Sequence, residues 1–140
     1  MALPNTVTER ISDKDLQRLA SAAWAVRENA HVIGPTKVGC AVLCNDGQIY
    51  TGCNVEHKYR CHDVHAEVNA ITTMVAERGS RGITAVVIAA SRERFTPCGG
   101  CMDWIMQFAL DDSCVIASQS TPDGPMHRYT ARQLMPFYPK

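Results

Sequence analysis

Two short segments of the chain carry the residue types that bind metals and move protons. The first, RCHDVHAEVNA at residues 60–70, holds a cysteine, two histidines and a glutamate. The second, PCGGC at residues 97–101, holds two cysteines separated by two residues. Imidazoles and thiolates are ligands of zinc, and a nearby carboxylate can act as a general acid or base. The first segment alone is compatible with a metal site, a catalytic base, a redox pair or the polar start of a helix.

The cysteine pair of the second segment, Cys98 and Cys101, follows Pro97, a residue type that is common in the first turn of a helix. At a helix N-terminus, unpaired N–H groups and the helix dipole favour thiolate over thiol, and thiolate is the form that binds a metal. Taken alone, the C-x-x-C motif could also be a redox pair or a chance occurrence. A structural zinc knuckle normally has a second such pair, and this chain has none.

The spacing of His65 and Glu67 favours the metal interpretation. H-x-E followed by P-C-x-x-C is typical of zinc nucleobase deaminases. One imidazole and two thiolates give zinc three ligands and leave its fourth position for water, whose pKa falls to about 7. A carboxylate two residues after the histidine can take a proton from that water. We therefore predict that His65, Cys98 and Cys101 bind zinc and that Glu67 is the catalytic acid and base.

The other cysteines and the second histidine are predicted to have lesser roles. Cys61 and His62 precede the expected helix, so we interpret them as loop residues or as neighbours of the ligands. The remaining four cysteines lie in predicted strands, where they are expected to pack as small apolar groups: Cys40, Cys44, Cys53 and Cys114.

The elements that must position these residues follow from hydrophobic spacing. Apolar residues recur at steps of three and four over residues 12–32, which predicts a helix capped by Ser12 and stopped by Gly-Pro-Thr. KVGCAVLC and QIYTGCNV flank an Asn-Asp-Gly turn and predict a β-hairpin. Further helices are predicted at residues 65–78 and 97–110, with Trp104 inward in the second. Strands are predicted at ITAVVIAAS and CVIAS, with a short closing helix at YTARQLM.

This order of elements predicts an α/β protein. Strands separated by helices imply a sheet that is parallel in its later part and covered by helices on both faces. We expect one domain over residues 1–140, preceded by a loose arm of ten residues.

Composition excludes several classes of protein. Fourteen basic residues balance fourteen acidic ones, so no overall field attracts nucleic acid or an anionic membrane. The longest apolar stretch is too short to cross a bilayer, and no charged leader precedes an apolar run. Seven cysteines, an odd number, then favour a reducing compartment, and we expect a cytoplasmic protein.

With these motifs the chain resembles the cytidine deaminase family over most of its length. TGCNVE, ten residues before the zinc motif, is similar to the family's GCN-x-E segment. The resemblance implies a three-layer α/β/α sandwich around a mixed sheet of about five strands. It also implies that Asn54 and Glu56 bind the ribose, and an amide and a carboxylate two apart on a strand do point the same way.

The resemblance implies further contacts with a pyrimidine nucleoside. The backbone N–H of Ala66 would hold the pyrimidine carbonyl, and the Thr96 carbonyl would receive the amino group. Trp24 falls where the family has an aromatic residue against the base. Phe137, or Tyr138 beside it, resembles an aromatic residue that members lend to a neighbouring subunit. The resemblance thus implies one zinc ion per subunit and a homotetramer with shared active sites.

The chain departs from the family pattern at several positions. Single-domain members read CAER where this chain has HAEV at residues 65–68. Three thiolates on zinc leave a net negative charge that the arginine can offset, whereas one histidine and two thiolates leave a neutral site beside Val68. The histidine form resembles longer two-domain and polynucleotide deaminases. TKVGCAV also replaces FPVGAA, and Met102 and Asp103 replace an arginine and a glutamine.

These observations favour hydrolytic deamination of a cytidine-type nucleoside to a uridine-type product and ammonia. An alternative substrate is a cytosine-containing antibiotic nucleoside, as in the blasticidin S deaminases. Nucleic-acid editing is disfavoured by the balanced charge and by an aromatic content of only 6%. A purely structural zinc protein is disfavoured because structural sites use all four zinc positions.

Overall fold

A helix begins the part of the chain that the computed structural model describes, residues 11–139. Helix α1 (Asp13–Arg27) starts at a capping box, in which Ser12 Oγ accepts from the Asp15 N–H and Asp15 Oδ2 accepts from the Ser12 N–H. Its buried residues share one face, as the spacing predicts: Leu16, Leu19, Ala20 and Ala23. The ten-residue arm predicted before this helix lies outside the described residues.

Helix α1 ends at Arg27, so the prediction that it continues to residue 32 is wrong. The following segment pairs with the chain that leaves the hairpin. The His31 N–H donates to the Asn54 carbonyl at 3.1 Å, and the Glu56 N–H donates to the His31 carbonyl at 2.7 Å. These bonds use backbone groups that another helical turn would need, and they bring residues 31–34 alongside Glu56.

A five-stranded mixed sheet forms the centre of the fold. Its strands are β1 (Val38–Cys44), β2 (Ile49–Cys53), β3 (Ile83–Ala90), β4 (Val115–Gln119) and β5 (Met126–Thr130), in the order β2-β1-β3-β4-β5. The predicted hairpin joins β1 and β2, with Gly47 in the left-handed region at φ 85°. Strands β3 and β4 are parallel, as predicted, and the other neighbouring pairs are antiparallel.

Strand β5 is not predicted by the hydrophobic pattern. Its residues, MHRYT, lie at the sheet edge and are half-buried or exposed, so they lack the apolar alternation that marks a strand. The predicted closing helix therefore begins two residues too early, because Tyr129 and Thr130 belong to β5. Helix α4 is the single turn Ala131–Leu134.

Helices cover both faces of the sheet, which confirms the predicted three-layer α/β/α arrangement. Helix α1 packs on one face, against side chains that include Ala41, Leu43 and Val87. Helices α2 (Ala66–Arg78) and α3 (Gly99–Phe108) pack on the other face, against Val42 and Ile88 among others. Alternate residues of β1 thus enter the two cores, and every residue of that strand is buried.

Helix α2 lies unusually close to β2. A Cβ at Gly52 would clash with the backbone of Asn69 and Ala70, so only glycine allows this approach. The Asn69 side chain then accepts from the Cys53 N–H at 2.9 Å and ties the helix to the end of the strand. This packing fixes the N-terminus of α2, where the candidate functional residues lie.

Helix α3 begins at Gly99, after an N-cap at Cys98, rather than at Pro97 as predicted. Its inward side includes Ile105, but Trp104 does not point inward as expected. The Trp104 side chain is 40% exposed and stacks on Phe108, with 6.0 Å between the ring centroids. Among residues 11–139, none of the helices combines the length and the apolar content needed to cross a bilayer.

Candidate active site

Three side chains from distant parts of the chain meet at the N-termini of α2 and α3. His65 Nδ1 lies 3.2 Å from Cys101 Sγ and 3.5 Å from Cys98 Sγ. All three ligand atoms lie within 4.8 Å of one another. Within residues 11–139 they form the one group of three or more histidine, cysteine or acidic side chains that could hold a metal ion.

The spacing of these atoms fits zinc. Tetrahedral zinc holds sulfur at about 2.3 Å and nitrogen at about 2.0–2.1 Å, which separates a sulfur from a nitrogen ligand by roughly 3.5 Å. The observed nitrogen–sulfur distances of 3.2 and 3.5 Å are close to this value. Two thiolates and one imidazole are also a donor set that zinc prefers over hard cations.

Local helix geometry places each donor. His65 is the N-cap of α2, but its side chain makes no capping bond and is directed to the cysteines. Cys98 is the N-cap of α3, and its sulfur accepts from the Cys101 N–H at 3.5 Å. This N-cap position places the Cys98 sulfur beside the backbone N–H groups of the first turn of α3.

The buried carboxyl group of Glu67 adjoins the three donors. Its residue is 3% exposed, and burial raises its pKa, although its own backbone N–H, His65 and Cys101 oppose this shift. Burial and the Glu67 charge in turn raise the pKa of the Cys101 thiol. A cation between the donors would offset both effects, because it stabilises thiolate and carboxylate together.

A cavity of about 320 Å³ opens beside the donors. His65, Glu67 and Cys98 line it. Cys101 does not, but it lines a second cleft together with His65 and Cys98. Four of the residues predicted to contact substrate also line the cavity: Asn54, Glu56, Ala66 and Thr96. The tertiary structure therefore brings these four together with His65, Glu67 and Cys98.

Asn54 is held by the backbone around the start of β1. Its Oδ1 accepts from the Val38 N–H at 2.8 Å, and its Nδ2 donates to the Thr36 carbonyl at 2.9 Å. An amide side chain has two donor hydrogens and two acceptor lone pairs, so half of its hydrogen-bonding capacity remains for a ligand.

Glu56 is held by the segment that follows α1. Its Oε1 accepts from the N–H groups of Ile33 at 2.6 Å and Gly34 at 2.8 Å. The hydrogen bonds from Gly34 and Ile33 lower the pKa of this carboxyl, and the charge of Arg60 lowers it further. Glu56 is therefore an ionised acceptor at the cavity wall.

Several cavity residues are missed by the sequence motifs. Arg60 bridges two acids of the wall, since its Nη2 lies 3.1 Å from Glu56 Oε2 and its Nε donates to Asp63 Oδ2 at 2.8 Å. Asp63 Oδ1 in turn accepts from the His57 N–H at 2.6 Å. Thr36, Arg92 and Phe95 also line the cavity. Phe95 and Arg92 precede the PCGGC segment closely, which is the only sequence signal that could have indicated them.

Two residues that the resemblance assigned to the substrate, Trp24 and Phe137, do not line this cavity within the chain. Trp24 packs against the core on the opposite face of the sheet, and its Nε1 donates to Gln119 Oε1 at 2.8 Å. It is therefore not assigned to the cavity. Phe137 is 94% exposed and is not among the residues that line the cavity within this chain.

The residues that compete with His65 as ligands are separate from the metal group. Cys61 and His62 are exposed and lie in a short 3₁₀ turn, Arg60–His62, before α2. The His62 ring makes an edge contact with the His57 ring, with 5.1 Å between the ring centroids. This placement agrees with their interpretation as loop residues.

Zinc donors, a buried carboxyl group and an adjoining cavity on a three-layer α/β/α fold define the class of zinc-dependent hydrolytic deaminases. The model of the cytidine and deoxycytidylate deaminase zinc-binding region matches residues 13–117. The chain belongs to this family, and the donor group accounts for one zinc ion.

Known members support the assignment over most of the chain. The cytidine deaminase of Sporosarcina psychrophila is 31% identical over 124 residues, which are 87% of this chain and 89% of that protein. A probable cytidine deaminase of Dictyostelium discoideum is 30% identical over 122 residues, 84% of this chain and 82% of that protein. The crystal structure of cytidine deaminase from Burkholderia pseudomallei has a TM-score of 0.78 and 25% identity, covering 91% of this chain and 98% of that one.

Proposed function

We propose that this protein removes the amino group of cytidine or deoxycytidine by hydrolysis, giving the uridine-type nucleoside and ammonia. The observation that carries this proposal is the position of Glu67, which is buried and lines the same cavity as His65 and Cys98. A structural zinc site needs neither the cavity nor a carboxyl group beside its ligands. The relatives reported above are cytidine deaminases, which favours cytidine over an antibiotic nucleoside.

His65, Cys98 and Cys101 are the proposed zinc ligands. When bound, zinc supplies a Lewis acid that makes water reactive at neutral pH. The Glu67 carboxylate takes one proton from the attacking water and delivers it to the ring nitrogen next to C4. The same carboxyl group then takes the second proton of that water from the hydroxyl now on C4 and gives it to the amine. The C4–N bond breaks as the C4 carbonyl forms, so one water is consumed for each ammonia released. Burial of Glu67 keeps other water from exchanging these protons.

The proposed substrate contacts use groups that line the cavity. Asn54 retains one donor and one acceptor site for a sugar hydroxyl, and the ionised Glu56 accepts from another. Ala66 is the first residue of α2, where N–H groups have no partner within the helix, so its N–H is suited to the pyrimidine carbonyl. The Thr96 carbonyl is proposed to receive the amino group.

We further propose a cytoplasmic homotetramer with shared active sites that acts in pyrimidine salvage. Tyr138 already donates to Asp103 Oδ1 at 2.5 Å and packs on the core, whereas the neighbouring Phe137 is exposed. Phe137 is therefore the better candidate to enter a neighbouring subunit's cavity. None of the seven cysteines, all of which lie in the described part of the chain, forms a disulfide, which agrees with a reducing compartment. Sedimentation showing a fully active monomer would contradict the shared-site proposal.

A substrate panel tests the proposed reaction. Zinc-loaded protein is incubated with cytidine, deoxycytidine and blasticidin S, and ammonia and the deaminated product are both quantified. We expect equal amounts of ammonia and uridine from cytidine, and loss of turnover after a chelator removes the metal. Protein that contains one zinc per chain yet releases no ammonia from either nucleoside would overturn the proposal. Preferential turnover of blasticidin S would show that the substrate is the antibiotic nucleoside and not cytidine.

A further inference from the structure

The cavity needs a surface that recognises the flat face of a nucleobase, and Trp24, which was expected to provide it from within the chain, does not. Trp24 lies on the other side of the sheet. Thr36 lines the cavity but has no ring to offer a base. Apart from the ligand His65, Phe95 is the sole aromatic residue among those that line the cavity in the described part of the chain.

We propose that Phe95 is the aromatic residue that contacts the pyrimidine ring of the substrate. This inference rests on the proposed function, because it assumes that a cytosine nucleoside occupies the cavity. Phe95 is then a specificity-determining residue that selects a planar base, while the proton chemistry remains with Glu67.

The position of Phe95 along the chain supports this assignment. It immediately precedes Thr96, whose carbonyl is the proposed partner of the amino group, and it lies three residues before Cys98. Consecutive Cα atoms are about 3.8 Å apart, so Phe95 lies within a side chain's reach of any ring held at Thr96. A base with its reacting carbon near Glu67 would therefore lie along the wall that Phe95 forms.

The surroundings of Phe95 fix its position before substrate binds. Its half-buried side chain packs against the core cluster that also contains Ile88 and Ile105. The residue before it, Arg94, has a left-handed backbone at φ 51°, and Pro97 after it is buried. A ring held this way loses little conformational freedom when a base stacks on it.

A binding experiment separates a substrate contact from a packing role. In the Glu67→Gln background, in which conversion should be at least about 100-fold slower, the Kd for cytidine is measured by titration calorimetry on zinc-loaded protein. Phe95→Leu should raise this Kd roughly five- to tenfold, because aromatic–base stacking is lost. Phe95→Tyr keeps the ring and should stay within about twofold.

Phe108→Leu is the matched control. Phe108 is also a phenylalanine packed at the edge of the same core cluster, but it does not line the cavity. The Phe108→Leu substitution should lower the melting temperature without changing the Kd for cytidine. In the otherwise natural enzyme, Phe95→Leu should raise KM and leave kcat nearly unchanged, since stacking stabilises bound substrate and transition state alike.

The outcomes distinguish this inference from the proposed function. If wild-type protein converts cytidine but Phe95→Leu binds it as tightly as the Phe108 control does, Phe95 is only a packing residue. If zinc-loaded wild-type protein neither binds nor converts cytidine, the proposed function itself fails. Should Phe95→Leu not fold, Phe95→Met preserves apolar volume without a ring and must show the same rise in Kd.

Discussion

Cys101 Sγ lies 3.2 Å from His65 Nδ1, although 36 residues separate the two in the chain. Two helix N-termini make this contact possible, because His65 precedes the first turn of α2 and Cys101 lies in the first turn of α3. Both helices pack on the same face of the sheet and are oriented there by the shared core. The metal group is thus a product of helix placement.

The first prediction concerns which histidine binds zinc. His65→Ala should lose the metal and the activity, because two thiolates alone leave zinc without a third protein ligand. His62→Ala should retain one zinc per chain, since His62 is exposed and contacts His57 instead. The zinc content of both variants is measured by atomic absorption after dialysis. Release of zinc from the His62 variant would show that the assigned ligand is the wrong one.

The second prediction concerns proton transfer. Glu67→Gln keeps the shape of the side chain but cannot carry a proton, so kcat should fall at least about 100-fold while zinc stays bound. Glu77→Gln is the control, because Glu77 is on an exposed part of the same helix. Steady-state assays and zinc analysis are made on both proteins. Near-normal turnover by the Glu67 variant would remove this residue from the mechanism.

The third prediction concerns the close contact of α2 with β2. Gly52→Ala places a methyl group against the backbone of Asn69 and Ala70, so the helix must move. We expect the free energy of unfolding to fall by about 1–3 kcal/mol, together with weaker zinc binding. Gly99→Ala adds the same group where no atom lies within 4 Å and should be nearly neutral. Equal stability of the two variants in urea titrations would argue against the packing constraint.

The fourth prediction concerns the pH dependence of stability. The hydrogen bonds from Gly34 and Ile33, with the charge of Arg60, lower the pKa of Glu56 in the folded protein. A lowered folded-state pKa gives stability that is fully present above the unfolded value of about 4.3 and is lost as pH falls through the folded value. Glu56→Gln should therefore destabilise the protein at pH 7, with a difference from wild type that shrinks in acid.

Urea titrations at pH steps from about 7 to about 3 measure this difference. Glu93→Gln, which changes an exposed loop acid, is the comparison. A destabilisation by Glu56→Gln that is the same at every pH would mean that shape, and not the charge of the carboxylate, is what the fold requires.

Much of the fold could be predicted because local patterns and tertiary structure agree. The Ser12 cap, the buried face of α1 and the hairpin at Gly47 all follow from residue type and spacing. The failures have physical causes. Helix α1 ends early because His31 pairs with the backbone after β2, and β5 carries no apolar alternation because it is a half-buried edge strand.

Some residues of the candidate site could likewise be predicted from the sequence, and others could not. His65, Glu67, Cys98 and Cys101 were identifiable because their chemistry and short spacings are specific to zinc deaminases. The network of Arg60 with Glu56 and Asp63 could not be identified from the sequence. An arginine close to acidic residues in sequence ordinarily lies in a solvated loop. Trp24 was assigned to the base by the family resemblance alone, whereas the structure packs it on the opposite face of the sheet.

The sequence by itself determined the donor types and the class of fold and predicted the acid that carries the proton, since each depends on residue identity or short-range periodicity. Only the tertiary structure decided which wall of the cavity each residue occupies. It placed Phe95 at the cavity and Trp24 behind the sheet. The reason is that a cavity wall is formed by contacts between segments far apart in the chain, and no local pattern records how helices on the two faces of a sheet are finally packed.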